Sequence, residues 1–256
     1  MKPKDDFLDE YKLPDPVCLN KWAWSTIHLS VGQTMSCHRV NGDTITPETY
    51  PDFHNTPSKI RDRERMLTGD WPDSNGPSPL KKHNGCEVCR EVEMAGGISD
   101  RLSLNSSSYY QRRVPKELKE NNLSTIVTPT TLEVYFNNQC NLSCIYCSPK
   151  FSSKIAAENL KYDPDNDDLK KVINYRQDYP KLLEAHFKWL EKNVTSLTVY
   201  KILGGEPFIQ KELERNIDFF EKFKCPLLEL AIFTNLNVSE KDLKVKLAKI
   251  GNLVTK

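Results

Sequence analysis

From Thr130 onward the apolar positions fall into two alternating rhythms. "TTLEVYF" (130–136), "SLTVYKIL" (196–203) and "LLELAIFTN" (227–235) are short runs rich in β-branched and aromatic residues, the pattern of strands. Between and after them, "YPKLLEAHFKWLEKN" (179–193), "KELERNIDFFEKF" (211–223) and "SEKDLKVKLAKIG" (239–251) space their apolar residues three and four apart, which predicts amphipathic helices, the last capped by Ser239. Strands alternating with helices argue for a parallel sheet built from β-α-β units. The closing "NLVTK" reads as the opening of a fourth strand. Three complete units would leave an exposed parallel edge, so the expectation is a polypeptide that is truncated or completed by something outside it. The stretch from Ser148 to Tyr179 is a long insertion, and its acidic run "DPDNDD" reads as a solvated loop.

Before Thr130 the pattern is turn-rich. "WAWSTIHLSV" alternates as a strand, Gly32 offers a turn, and "TMSC" returns as the second arm of a hairpin. "SKIRDRERMLTGD" predicts a short helix with Ser58 as N-cap and Gly69 past its end. "WPDSNGPSPLKKHNG" is a loop by composition, and "CEVCREVEMAGG" predicts a helix that starts at a cysteine pair and stops at Gly96 and Gly97. No sizeable sheet is expected in this half.

Across 256 residues, 38% hydrophobic and 28% charged content describe an ordinary globular protein, and a net charge of +1 makes no case for nucleic acid or an anionic membrane as partner. "MKPKDDFLDEYKLPDP" lacks the apolar stretch of a secretory signal, and no run approaches the ~20 apolar residues of a membrane span. The expected compartment is therefore the cytoplasm, where thiols stay reduced. That turns attention to eight cysteines distributed as four (Cys18, Cys37, Cys86, Cys89), three (Cys140, Cys144, Cys147) and one (Cys225), which is not a disulfide pattern.

The three are packed into "CNLSCIYC", directly after the first strand. Soft thiolates in a tight group select zinc, copper(I) or iron–sulfur clusters. Structural zinc closes its tetrahedron with four ligands, and no fourth Cys or His lies nearby; His186, mid-helix on an apolar face, reads as a packing residue. Three thiolates on a [4Fe–4S] cubane leave one iron open to a small molecule.

The pattern C-x3-C-x-aromatic-C, with Tyr146 as the aromatic, resembles the signature of the radical S-adenosylmethionine (radical SAM) enzymes. "YKILGGEPFIQ" places Gly204, Gly205, Glu206 and Pro207 where that family carries its GGEP motif, at the end of the second strand. The C-terminal ends of parallel strands are where β/α folds build their sites. The resemblance implies that Cys140, Cys144 and Cys147 ligate the cluster, that Tyr146 flanks cluster and adenine, and that Gly204–Pro207 hold the methionine end of S-adenosylmethionine. It further implies a one-electron reduction by a flavodoxin- or ferredoxin-type partner and a 5′-deoxyadenosyl radical that abstracts hydrogen from a substrate. "IFTNL" resembles the family's polar barrel mouth, so that Thr234 and Asn235 are candidates for ligand contact or for a turn.

Upstream, Cys18 and Cys37 are spaced C-x13-G-x4-C and are followed by Cys86-x-x-Cys89. A hairpin and a helix start presenting two thiols each is a common four-thiolate arrangement, open to zinc or to an iron–sulfur cluster. The spacing resembles the SPASM or shorter "twitch" region, an auxiliary-cluster domain of radical SAM enzymes that often modify peptides or proteins. Its position before the barrel is similar to twitch-containing radical SAM proteins of bacterial viruses, which would put the chain in a host cytoplasm. His28 and His38 flank this region as possible substitutes for a cysteine. Trp22, Trp24 and Ile27 read as core or as a shield for the metal, and Cys225 as a packing residue.

The expected architecture is thus α/β: a twitch-like, irregular α+β metal-binding domain at 1–127, then at 128–256 the first half of a partial (β/α)6 radical SAM barrel, about three βα units long. The substrate is a small molecule or peptide of unknown identity. The alternatives are a non-catalytic iron–sulfur electron-transfer module and a zinc-stabilised binding module.

Overall fold

Six short strands form one mixed sheet in a computed structural model of the chain, which describes residues 6–72, 85–111 and 124–253. They are β1 (Trp24–His28), β2 (Gln33–Met35), β3 (Asp43–Thr44), β4 (Thr131–Tyr135), β5 (Val199–Leu203) and β6 (Glu229–Ile232). The order is β3-β2-β1-β4-β5-β6. β2 and β3 are antiparallel; β5 and β6 are parallel, with Val199 opposite Glu229 and Ile202 opposite Ile232.

The sheet corrects one expectation. The N-terminal half contributes three of its strands, and β4, expected to begin the sheet, has β1 on its other side. Every residue of β1 is buried, including Ser25 and Thr26, which belong there because each finds a partner: Ser25 Oγ with His54 Nδ1 at 2.8 Å and Thr26 Oγ1 with Trp24 Nε1 at 3.2 Å. An interior strand with two paired polar residues loses the alternation that marks a half-buried one.

By contacts the chain divides into two compact units. The first comprises 1–26, 33–45 and 51–132; the second takes 27–32, 46–50 and 133–256.

In the first unit, helices α1 (Asp6–Tyr11), α2 (Leu19–Ala23), α3 (Pro57–Leu67), α4 (Cys86–Met94), α5 (Asp100–Ser106) and α6 (Ser108–Gln111) accompany the strands. Phe7, Val17, Leu19, Trp22, Met66 and Val127 pack into one apolar core that includes Cys18. The N-cap of α3 is Thr56, not Ser58: Thr56 Oγ1 accepts the Lys59 amide and Pro57 opens the first turn, while Ser58 donates to Asp43 at 2.5 Å. Arg63 is fully buried and donates to the carbonyls of Lys21, His54 and Thr125 and to Asn55 Oδ1 at 2.5–3.0 Å. Most of the "WPDSNGPSPLKKHNG" loop lies outside the described residues.

In the second unit the insertion is largely helical, although 163–165, the first part of the acidic run, form the exposed turn expected there. It folds as α7 (Ser153–Tyr162) and α8 (Asp167–Ile173), capped by Ser152 and Asn166, and the acidic run supplies the break between them and the first turn of α8. α9 (Tyr179–Asn193) buries Leu182, Leu183, His186, Phe187 and Leu190 along one face, and α10 (Lys211–Lys222) buries Leu213, Ile217 and Phe220. His186 lies between two tyrosines, with Nδ1 2.6 Å from Tyr50 Oη and Nε2 2.9 Å from Tyr200 Oη. Because Tyr200 donates its proton to Asn216 Oδ1, Nε2 must be the donor to Tyr200 and Nδ1 the acceptor from Tyr50. Burial lowers the His186 pKa to about 3, so the ring is neutral. The last helix, α11 (Glu240–Leu253), starts one residue after Ser239, whose hydroxyl accepts the Asp242 amide, and none of its residues is fully buried. Asn252 and Leu253 are helical rather than the start of a strand, and 254–256 lie outside the described residues. No helix among the described residues is long and apolar enough to cross a membrane.

Candidate functional site

The cysteine triplet sits on a loop tied shut at its base. Leaving β4, Asn137 turns the chain with its Oδ1 on the Gln139 amide, and its own Nδ2 is held by the buried carboxylate of Glu212. The Cys140 amide donates to Ser153 Oγ at 3.1 Å, Ser153 N–H donates to Asn138 O at 2.7 Å, and Asn138 Nδ2 reaches Pro149 O. Ser152 donates to Leu142 O while capping α7. Within this closed loop the three thiols are half-buried, and the Cys147 amide folds back onto Cys144 O. Ile145 and Tyr146 stand out at the tip; the Tyr146 hydroxyl pairs with the Cys144 thiol, which raises its pKa.

The GGEP turn lies against the base of that loop. Gly204 and Gly205 have φ of 91° and 53°, and a Cβ on Gly205 would fall 2.1 Å from Gln139 O, one on Gly204 2.9 Å from Asn137 O. The close approach that these glycines permit is therefore to the backbone of 137–139. Gly205 N–H donates to Phe151 O at 3.1 Å and Glu206 N–H to Gln139 O at 2.8 Å. Pro207 starts a buried 3₁₀ turn, and Gln210 just beyond it donates its side-chain amide to Gly204 O, Gln139 O and Asn137 O at 2.8–3.4 Å.

Glu206 is completely buried. Its carboxylate accepts the Phe208 amide at 2.9 Å, the Thr234 hydroxyl at 2.5 Å and the Asn235 amide at 2.6 Å. Asn235 in turn donates Nδ2 to Asn141 Oδ1 at 3.1 Å, and Asn141 Nδ2 donates to Asn237 O. The cysteine loop, the GGEP turn and the Thr-Asn pair, each at the end of a different strand, form one hydrogen-bonded assembly. Gln210, Asn137 and Asn141 belong to it without having been expected. Only Asn141, adjacent to Cys140, carried a positional hint.

The upstream cysteines share one neighbourhood in the first unit. Cys18 precedes α2 inside the apolar core, Cys86 packs against that core, and Cys86 and Cys89 stand one turn apart at the start of α4. The Cys37 thiol accepts the Arg39 amide at 3.4 Å. Burial, followed by the nearby Cys37 and Cys86, pushes the Cys18 thiol well up; burial takes Cys86 to about 11 against the opposing pull of Lys21. Lys21 is buried on Asp62 at 2.6 Å. Burial disfavours its charge, but Cys86, Asp62 and Cys18 outweigh that and raise it to about 12. A second buried cation, Arg101, is held by both oxygens of Glu93. Trp22 packs in the Cys18 core, with its indole N–H on Ser124 O, and Trp24 and Ile27 are buried. Of the flanking histidines, His28 stacks on Tyr135 at 4.3 Å in the second unit and His38 is exposed. Cys225 is half-buried with its thiol on Phe223 O.

Among the described residues no three His, Cys, Asp or Glu side chains are gathered at metal-binding distance, at either place. The donor chemistry nonetheless fits an iron–sulfur group: three thiols on one anchored loop, and four thiols sharing one electrostatic neighbourhood with buried cations. Comparison with protein-family models, with curated proteins and with solved structures finds no match, so a functional reading rests on the residues and their geometry.

Proposed function

We propose that the chain is a radical SAM protein in which Cys140, Cys144 and Cys147 hold a [4Fe–4S] cluster, with Cys18, Cys37, Cys86 and Cys89 holding a second metal group. When bound and reduced, the first cluster would supply reductive cleavage of S-adenosylmethionine and hence a radical for hydrogen abstraction. The observation that carries this reading is the hydrogen-bonded assembly of the cysteine loop with the GGEP turn and the Thr234–Asn235 pair at the ends of β4, β5 and β6. Strand ends are where β/α folds collect ligands, and three separately placed motifs meet there.

In this reading the loop's task is to present three thiolates on a fixed base. Ser153, Asn138 and Ser152 hold that base, and the exposed Tyr146 flanks the ligand side. The sheet would be a relative of the partial (β/α)6 barrel, joined through β4 to strands from the N-terminal half. A flavodoxin- or ferredoxin-type donor would deliver the electron to the cluster, and the substrate losing the hydrogen atom would be a small molecule or peptide.

The burial of Cys18 and the partial burial of Cys86 favour a closed, structural role for the upstream four, and there zinc competes with an auxiliary cluster. Anaerobic reconstitution tests both. About eight irons with matching sulfide per chain, and 5′-deoxyadenosine formed from S-adenosylmethionine in wild type but not in Cys144→Ala, is the expected result. About four irons plus one zinc would assign zinc upstream. Zinc without iron would remove the radical SAM reading altogether.

A further inference from the structure

A buried carboxylate in a ligand-binding motif invites the assumption that it meets the ligand. Glu206 has no room to do so. It is wholly inaccessible, and its two oxygens already accept three hydrogen bonds, from Phe208 N–H, Thr234 Oγ–H and Asn235 N–H at 2.5–2.9 Å. These donors come from two chain segments: Phe208 lies in the middle of the 3₁₀ turn after β5, and Thr234 and Asn235 follow β6. A carboxylate holding two backbone amides and a hydroxyl is a charge-assisted cross-link, stronger than neutral pairs of the same geometry.

The cross-link extends to the cysteine loop by two routes. The Glu206 amide is on Gln139 O at 2.8 Å, one residue before Cys140. Asn235, fixed through its backbone by Glu206, reaches Asn141 Oδ1 at 3.1 Å, one residue after Cys140. Cys140 is therefore bracketed by two contacts that both lead back to Glu206. Thr234 Oγ1 also accepts the Leu236 amide at 3.0 Å, which holds the post-β6 turn where Leu236 has a φ of 56°.

We infer that Glu206 is a positioning residue, a staple whose carboxylate locks the end of β6 to the GGEP turn and thereby holds Asn235 against the Asn141 side chain next to Cys140, while its own amide holds Gln139 on the other side, rather than a group that contacts the ligand's amine. As regards the ligand this rests on the radical SAM reading; as regards the staple it does not. Any contact of the turn with S-adenosylmethionine then falls to atoms other than this carboxylate.

Two measurements separate the possibilities. In the full-length apo chain, hydrogen exchange of the 139–147 amides should quicken by about tenfold in both Glu206→Gln and Thr234→Val, and return to the wild-type rate in Thr234→Ser, which keeps the hydroxyl. Unchanged exchange in both variants would overturn the staple. In reconstituted protein, S-adenosylmethionine affinity should fall by a similar factor in Glu206→Gln and Thr234→Val, with the double variant no worse than Glu206→Gln. The loss should be the same for the sulfonium analogue that lacks the α-amino group. If Glu206→Gln weakens S-adenosylmethionine but not that analogue, while Thr234→Val binds normally, the carboxylate holds the amine and the inference fails. Wild-type protein that takes up no iron would sink the functional reading, and the exchange result would still decide the staple.

Discussion

Cys18 and Cys86 sit in or against an apolar core beside the buried Lys21 and Arg101, whereas Cys140, Cys144 and Cys147 ride on a half-exposed loop secured by amides, hydroxyls and glycines. The difference is one of what each site has prepared in advance. Upstream, the fold supplies an enclosure in which burial disfavours thiolates, and the cations beside them are already paired, Lys21 with Asp62 and Arg101 with Glu93. Downstream, the fold prepares shape: a loop base held from behind, with its thiol-bearing side left accessible. Under the proposed function, a closed metal site would use the enclosure and an open one the anchored loop.

The largest effect should come from removing a cation that supports the first unit. Arg63→Met leaves two buried backbone carbonyls, the half-buried Thr125 carbonyl and Asn55 Oδ1 without this donor, and should cost about 3–5 kcal/mol in denaturant unfolding. Exchange in 139–147 should be unaffected; a matching rise there would dissolve the contrast between the two regions.

Acid probes a neutral buried ring of the second unit. The His186 ring has a pKa of about 3 when folded, below its ordinary value of about 6.5, so between these limits the unfolded chain binds the proton and the folded one does not. Stability is therefore lost as pH falls, by about 3 kcal/mol from pH 7 to pH 4 for this group. His186→Gln, which keeps a donor and an acceptor, should flatten that part of the pH–stability curve.

Gly205→Ala sharpens the downstream side. It combines a positive φ with a Cβ 2.1 Å from a carbonyl oxygen, and should cost about 2–3 kcal/mol together with faster exchange in the loop. The smallest effect is expected at the thiols themselves. Cys144→Ala on the half-exposed loop should shift apo stability by less than about 0.5 kcal/mol while abolishing S-adenosylmethionine cleavage in reconstituted protein.

Much of the C-terminal half could be read from the chain, because its elements obey local rules. α9 spans the residues its apolar spacing delimits, and Ser239 caps the helix that follows it. Errors arose where a local signal was read in isolation. Thr56 before Pro57 is the better start for α3 than Ser58, and Asn166 followed by two aspartates is a helix start as well as part of an acidic run. The strands of the first half were harder, since the burial of Ser25 and Thr26 depends on partners elsewhere in the chain. The candidate site divides in the same way. Cysteine and GGEP spacing is local and visible, but Gln210 and the carboxylate of Glu206 take their roles from contacts up to 73 residues away in the chain.

The contact beneath Gly205 also limits how this chain can change over generations. All three of the nearest atoms to its would-be Cβ are main-chain atoms of Asn138 and Gln139, which every amino acid shares. A crowded side chain can be relieved by trimming its neighbour, but here no neighbour can be trimmed. Replacements at 205 should therefore lack single-site suppressors at 138 and 139, and a selection for second-site rescue of Gly205→Ala should return mainly revertants.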